Sequence, residues 1–158
     1  MNHIDLKILA EIQPDSTLSL EALSERVGLS RNACWRRLHQ LADEGVIAGR
    51  PTLLNPDRLN VGLMVFIAIR TSEHSADWLK AFRQAVVNLP EIIGVFRMSG
   101  DIDYLLQAVV PDVAAYDGLY QRLISRVKLS DVSSSFVMEK IKMTTVLPLG
   151  YVTGSGQD

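Results

Sequence analysis

One stretch of the chain, between Ser30 and Leu41, carries residue types that suit contact with nucleic acid and contains no acidic residue. If the stretch is helical, one face presents Asn32, Arg36 and His39, with Trp35 at its flank and Arg31 in the first turn. In the major groove of DNA, arginine can bind guanine and asparagine can bind adenine through paired hydrogen bonds. A solvated polar face is the alternative, but an exposed tryptophan and the lack of acid favour nucleic acid.

A second candidate site is the motif from Ser99 to Tyr104, which lies between two predicted β segments. Its backbone N–H groups could hold a carboxylate while an aspartate side chain holds an ammonium, so the loop suits an amino acid. The alternative is an ordinary turn in which Gly100 adopts a positive φ and Asp101 and Asp103 bond the turn. Ser133 to Ser135 also have two interpretations: their hydroxyls contact a ligand, or they make plain cross-strand contacts.

The chain offers little for catalysis. Its histidines, His3, His39 and His74, are far apart and form no helical metal-ligand pair. Cys34 falls on the inward face of a predicted helix and suits a small core residue better than a nucleophile. Neither a phosphate-binding glycine loop nor a nucleophile elbow is present. We therefore predict no enzyme activity, no metal site and no cofactor.

Bulk composition limits the class of protein. A chain of 158 residues suits one ordinary domain or two small ones, and two small domains usually need to oligomerise to bury enough apolar surface. The net charge of −2 means that any contact with DNA depends on a local basic surface. A single cysteine suits a reducing cytosol, no secretory signal is evident, and the longest apolar run, Val61 to Ile69, is too short to span a bilayer. We expect a soluble, cytoplasmic protein.

The amino-terminal third has the pattern of three helices. The first covers Ile4 to Ile12, the second follows Ser19 as N-cap and ends at Gly28, and the third follows Ser30 and ends at Gly45. In the third helix Cys34, Leu38 and Leu41 form an apolar stripe, and Arg37 lies close enough to it to pack its stem or anchor a phosphate. Val46 to Leu54 then suits a short strand or β-wing.

The pattern of the remaining sequence predicts the order β-α-β-β-α-β of a ferredoxin-like domain. Its segments are Gly62 to Thr71, Ser75 to Leu89, Ile92 to Ser99, Tyr104 to Val110, Pro111 to Val127, and Val132 to Leu147, the last continuing as an arm. The polar residues from Thr153 onward are typical of a loose tail.

Together these pieces resemble the Lrp/AsnC (feast/famine) family of transcription regulators, over residues 3 to about 148. The segments that carry the resemblance are Ile4 to Leu9, Val27 to Ser30, Cys34 to Leu38, Gly45 to Ile47, Leu53 to Pro56, Ser99 to Leu105, Met138 to Lys142, and Leu147 to Leu149. Each segment alone is weak evidence for the family, but the order and spacing that they share are specific to it.

The resemblance implies an α+β fold, with an N-terminal winged helix-turn-helix and a C-terminal αβ-sandwich (RAM) domain. It implies dimers that pair their sheets, further assembly such as octamers, and an amino-acid effector bound between dimers. Predicted DNA contacts are Ser30, Arg31, Asn32, Trp35 and Arg36, to which the helical face adds Arg37 and His39. Predicted effector contacts are Met98, Ser99, Gly100, Asp101, Asp103 and Tyr104, with Ser134 and Ser135 as a second wall.

We therefore predict a sequence-specific DNA-binding regulator of genes for amino-acid metabolism or transport. Its segments are a winged helix-turn-helix (1–50), a linker strand or hinge (51–61), an effector-binding and oligomerisation domain (62–149) and a flexible tail (150–158). Its partners would be a near-palindromic double-stranded operator, an amino-acid effector and copies of itself, with no membrane partner. A DNA-architectural oligomer without effector, and a small metabolic enzyme or sensor, are the alternatives.

Overall fold

The computed structural model describes residues 1–152, which pack into two compact units. The first consists of Met1–Thr52 together with residues 142–152, and the second is Leu53–Ile141. The four functional segments predicted above stay a prediction, since packing contacts do not report what a segment does.

The first unit is built from three helices, as predicted: α1 (His3–Ile12), α2 (Leu20–Val27) and α3 (Arg31–Asp43). The predicted caps are confirmed, because the Ser19 hydroxyl accepts a bond from the N–H of Ala22 and the Ser30 hydroxyl one from Ala33. An apolar core joins the helices and consists of Ile8, Leu9, Leu23, Val27, Cys34 and Leu41. The apolar stripe of α3 therefore faces inward, and its polar side faces out.

The segment Val46–Leu54, predicted as a short strand or β-wing, has no regular secondary structure, so the strand part of that prediction is wrong. Within residues 1–152 no strand lies beside it to complete a ladder, and Pro51 has no N–H to donate. Leu53 and Leu54 are exposed as a result, at 71% and 69%. Beyond them, Asp57–Leu59 forms one turn of 3₁₀ helix.

The second unit has the predicted β-α-β-β-α-β order. Its elements are β1 (Leu63–Arg70), α4 (Ala76–Val87), β2 (Ile92–Arg97), β3 (Tyr104–Val110), α5 (Val113–Ile124) and β4 (Asp131–Phe136). The strands form one antiparallel sheet in the order β2-β3-β1-β4. This arrangement confirms the ferredoxin-like topology.

The two faces of the sheet differ in what covers them. Val65, Ile67 and Ile69 are fully buried and pack in one cluster with Phe82 of α4 and Leu119 of α5. Side chains alternate along a strand, so the intervening residues of β1 point to the opposite, uncovered face. The sheet therefore has one face covered by α4 and α5 and one open face.

The last strand is much shorter than predicted, since β4 ends at Phe136 instead of continuing to Leu147. Phe136 pairs with Val65, and β1 begins only two residues before that point, so no neighbour remains to extend the ladder. Further on, the chain belongs to the first unit, in which the Gln13 side chain accepts from Leu147 N–H and donates to its carbonyl, and Leu149 packs on the helix core. The predicted tail begins within the 3₁₀ turn Leu149–Tyr151, and residues 153–158 lie outside the described residues.

Candidate nucleic-acid interface and effector loop

The outward face of α3 brings four of the predicted DNA contacts together. Asn32, Trp35, Arg36 and His39 are all exposed, and Trp35 keeps 53% of its surface accessible. Cys34 and Leu41, on the other side of the helix, are buried in the core of the first unit. A helix that presents arginine, amide and aromatic groups while its apolar side is held by a core is suited to major-groove contact.

Trp35 and His39 contact each other on this face. Their ring centroids are 3.9 Å apart with planes tilted by 34°, and His39 Nδ1 lies 3.0 Å from the Trp35 carbonyl oxygen. The imidazole is therefore held in one orientation before any partner arrives.

The amino-terminal end of α3 contributes Ser30 and Arg31. The Ser30 hydroxyl accepts the cap bond and still has its own O–H to donate. Arg31 lies 3.7 Å from a Glu21 carboxylate oxygen, with both side chains about two-thirds exposed. An exposed pair of this length contributes little and can be exchanged for a phosphate. Both residues are thus accessible to DNA.

Arg37 differs from the other predicted contacts because its guanidinium is bound within the unit. Its Nη1 donates to Asp5 Oδ1 at 2.7 Å, and it lies 3.4 Å from the Asn2 side-chain oxygen. Only 28% of the Arg37 side chain is exposed. Arg37 therefore joins α3 to the start of α1, which matches the stem-packing role better than the phosphate role.

The second predicted site is the loop between β2 and β3. Gly100 has φ of +110°, as the turn interpretation requires, and the N–H of Met98 donates to the Asp103 carbonyl at 2.9 Å. The Asp103 carboxylate accepts a bond from Thr71 N–H at 2.7 Å, and Arg70 Nε donates to the Asp101 carbonyl at 2.7 Å. The loop is thus held by one hydrogen bond across its ends and by bonds to the end of β1, while the Asp101 side chain is exposed.

The predicted effector residues are not all in one place. The Tyr104 ring packs towards the core, with its centroid 4.6 Å from that of Phe82. Met98, Ser99 and Asp101 are exposed at the loop. Geometry therefore separates an accessible part of the motif from a structural part.

The two predicted β4 serines lie on opposite faces of the sheet. Ser134 pairs with Ile67 on the helix-covered side, and its hydroxyl is hydrogen-bonded to that of Tyr116. Ser135 pairs with Phe66 and points to the uncovered face. One ligand on a single face of the sheet can therefore reach only one of the two hydroxyls.

An open groove of about 680 Å³ lies beside the loop, lined by Ala68, Arg70, Ile102, Asp131, Val132, Ser133 and Ser134. Arg70, which the sequence analysis missed, donates to the Asp131 carboxylate at 3.2 Å and could bind an anionic group instead. No local signal marks Arg70, because its position depends on the register that pairs it with Asp131.

Other reactive groups have ordinary structural surroundings. Burial raises the pKa of the Cys34 thiol, which favours the unreactive protonated form. Within residues 1–152, His, Cys, Asp and Glu form no cluster that could hold a metal ion. Nor does any helix in that part of the chain have the length and apolar character to cross a membrane.

Comparison with known proteins adds independent findings. Residues 1–48 match the family model of a winged helix-turn-helix DNA-binding domain, and residues 64–147 match that of the Lrp/AsnC ligand binding domain. The glutamate uptake regulatory protein of Zymomonas mobilis is 50% identical over 149 residues, which are 94% of this chain and 91% of that protein.

Two solved structures are also similar. The crystal structure of an AsnC family transcriptional regulator from Agrobacterium tumefaciens has a TM-score of 0.93 and 50% identity, covering 96% of this chain and 99% of the other. A transcriptional regulator from Neisseria meningitidis, solved in complex with L-Met, has a TM-score of 0.91 and 38% identity, covering 95% of this chain and 97% of the other.

Proposed function

The chain belongs to the Lrp/AsnC family of DNA-binding transcription regulators, and on that premise we propose how it binds DNA and what controls it. It is a regulator and not an enzyme. It inserts the outward face of α3 into the major groove, as a homodimer on a near-palindromic operator in the cytoplasm. It responds to a small amino acid bound between dimers, and it controls genes of amino-acid metabolism or transport.

The observation that carries the DNA contact is the exposed face of α3. Ser30, Arg31, Asn32, Trp35, Arg36 and His39 make the contacts, while Arg37 acts through its bond to Asp5. Two copies related by a two-fold axis place two such helices about 34 Å apart, one turn of DNA. The net charge of −2 gives the chain little overall attraction to DNA. Assembly beyond the dimer, such as an octamer, therefore supplies affinity through several simultaneous contacts.

Random-site selection tests the DNA contact. The wild type is expected to select a site with two similar half-sites, and Arg36→Ala is expected to weaken binding about 5- to 100-fold through loss of a base contact. Arg83→Ala, which removes an exposed arginine of α4, is the charge-matched control. Equal loss of affinity in both variants, or selection of no site, contradicts the proposal.

The proposed effector site is the exposed part of the loop, Met98 to Asp101, with Arg70 and the adjacent groove. The Arg70 guanidinium suits a carboxylate and the Asp101 carboxylate suits an ammonium group. The Neisseria meningitidis relative was solved with L-Met bound, which supports an amino acid as the ligand class.

An effector-free architectural role is the second candidate, and one observation favours it. The Asp103 carboxylate and the Tyr104 ring, both predicted to border the effector, are engaged in contacts that hold the domain together. Calorimetry with the twenty amino acids, combined with mass measurement of the oligomer, separates the two. An amino acid that binds and changes the oligomer supports sensing, and a panel without binding supports the architectural role.

A further inference from the structure

The hydrogen position on the His39 ring follows from its partner. The Nδ1 atom lies 3.0 Å from the Trp35 carbonyl oxygen, and a carbonyl oxygen can only accept. Nδ1 must therefore carry the hydrogen. In the neutral imidazole the other nitrogen, Nε2, then has a free lone pair and is an acceptor.

The same ring is also fixed by stacking. Its centroid is 3.9 Å from that of Trp35, and both residues are exposed on the outward face of α3. A side chain held by a stack and a hydrogen bond loses little rotamer freedom on binding. The free Nε2 acceptor is thus presented to solvent at a defined position on the helix.

His39 also stands at a position from which bases are reached. Asn32, Trp35, Arg36 and His39 follow the spacing i, i+3, i+4, i+7, which is the spacing of the base-contacting residues on the recognition helix of homeodomains. The residue at i+7 lies two turns from the first and faces the same groove.

We propose that His39 Nε2 accepts a hydrogen bond from the exocyclic amino group of an adenine or a cytosine in the major groove, and that Trp35 is the positioning residue for this contact. The inference rests on the proposed insertion of α3 into DNA. The amino groups are the only hydrogen-bond donors that bases present in that groove, since guanine N7 and O6 and thymine O4 are acceptors. An imidazole acceptor makes this contact without bringing a carboxylate close to the phosphates.

The test deletes the amino group from the DNA and the ring from the protein. Starting from the selected operator, purine replaces each adenine in turn and 2-pyrimidinone replaces each cytosine. At one base of each half-site the deletion is expected to weaken wild-type binding on the order of 10-fold, and to leave His39→Ala binding nearly unchanged. The purine series and the 2-pyrimidinone series show whether that base is adenine or cytosine.

Three further variants test the geometry. Trp35→Phe keeps a ring for the stack and is expected to retain sensitivity to the same amino group, whereas Trp35→Ala is expected to lose it. His39→Gln keeps an acceptor at similar reach and is expected to retain part of the sensitivity to that amino group. His74→Ala, an exposed histidine of the second unit, is the control and should behave as the wild type.

The outcomes separate this inference from the proposed function. If every amino deletion costs the same in the wild type and in His39→Ala while both proteins bind the operator, the His39 contact is rejected and DNA binding stands. If the wild type selects no DNA at all, the proposed function is rejected and the contact with it.

Discussion

Adjacent arginines of one helix have different roles because their partners differ. Arg36 is exposed, whereas Arg37 donates to Asp5 at 2.7 Å. Burial by itself raises the pKa of the Asp5 carboxyl, but the bond from Asn2 N–H and the Arg37 guanidinium outweigh it and hold that pKa below its ordinary value of 3.8. The pair thus stabilises the fold only while Asp5 is ionised.

Replacement of Asp5 tests this pair through its pH dependence. Asp5→Asn is expected to lower the free energy of unfolding at pH 7 by roughly 1.5–3 kcal/mol, the range for a hydrogen bond to a charged group. A folded-state pKa below the unfolded value gives stability that is present above the unfolded pKa and lost as pH falls through the folded one. The difference between wild type and variant should therefore shrink below about pH 3.8.

Urea unfolding at a series of pH values makes the measurement, with Asp43→Asn as the control for an exposed aspartate at the end of α3. A difference between wild type and Asp5→Asn that stays constant down to pH 3 would contradict the role assigned to the pair.

Helix ends position α3, and the turn before it depends on Gly28. Gly28 has φ of +71°, and the next N–H, of Leu29, bonds the Ser24 carbonyl at 3.0 Å, which ends α2. Ser30 follows at once as the cap of α3. The turn that leads into α3 therefore depends on a residue in a left-handed conformation.

Two glycine substitutions are expected to change stability in opposite directions. A Cβ at either Gly28 or Gly118 meets no atom within 4 Å, so backbone conformation decides the result. Gly28→Ala should lower the free energy of unfolding by about 1–2 kcal/mol because of its positive φ. Gly118→Ala, within α5, should raise it by about 0.5–1 kcal/mol.

Chemical denaturation of both variants checks this pair, and Gly28→Asn should be milder than Gly28→Ala because asparagine tolerates the left-handed region better. Two substitutions with the same sign would show that packing, not backbone conformation, controls these positions.

At the scale of the molecule, the uncovered face of the sheet exposes apolar side chains that a partner could bury. Its register places Phe66 beside Gln107 and Leu105 beside Phe96, and Phe96 is 49% exposed. Two small units have limited cores, so burial of such a face against a second copy would add substantial stability. We therefore predict that the homodimer pairs its sheets through this face.

Phe96→Asp is expected to dissociate the dimer, because it places a charge against an apolar partner surface. Operator affinity should fall with it, since separate monomers lose the gain from binding two half-sites together. Sedimentation and operator binding make the measurement, with Val87→Asp, at an 81% exposed site on α4, as the control. A Phe96→Asp protein that stays dimeric would place the dimer interface elsewhere.

The sequence by itself determined helices α1 to α5, strands β1 to β4 of the sheet and their order. Ser19, Gly28 and Ser30 act on backbone groups within a few residues, so caps, helix bounds and the polar face of α3 follow from local spacing. The β-α-β-β-α-β order and the family resemblance depend on patterns of the same kind.

Only the tertiary structure decided which side chains are available for function. Arg37 is bound by Asp5 from another helix, Ser134 and Ser135 are separated by strand register, and β4 ends where its neighbour ends. Arg70 was found only through its pairing with Asp131. Each of these outcomes depends on a partner distant in sequence, and residue type and spacing carry no information on such a partner until the chain has folded.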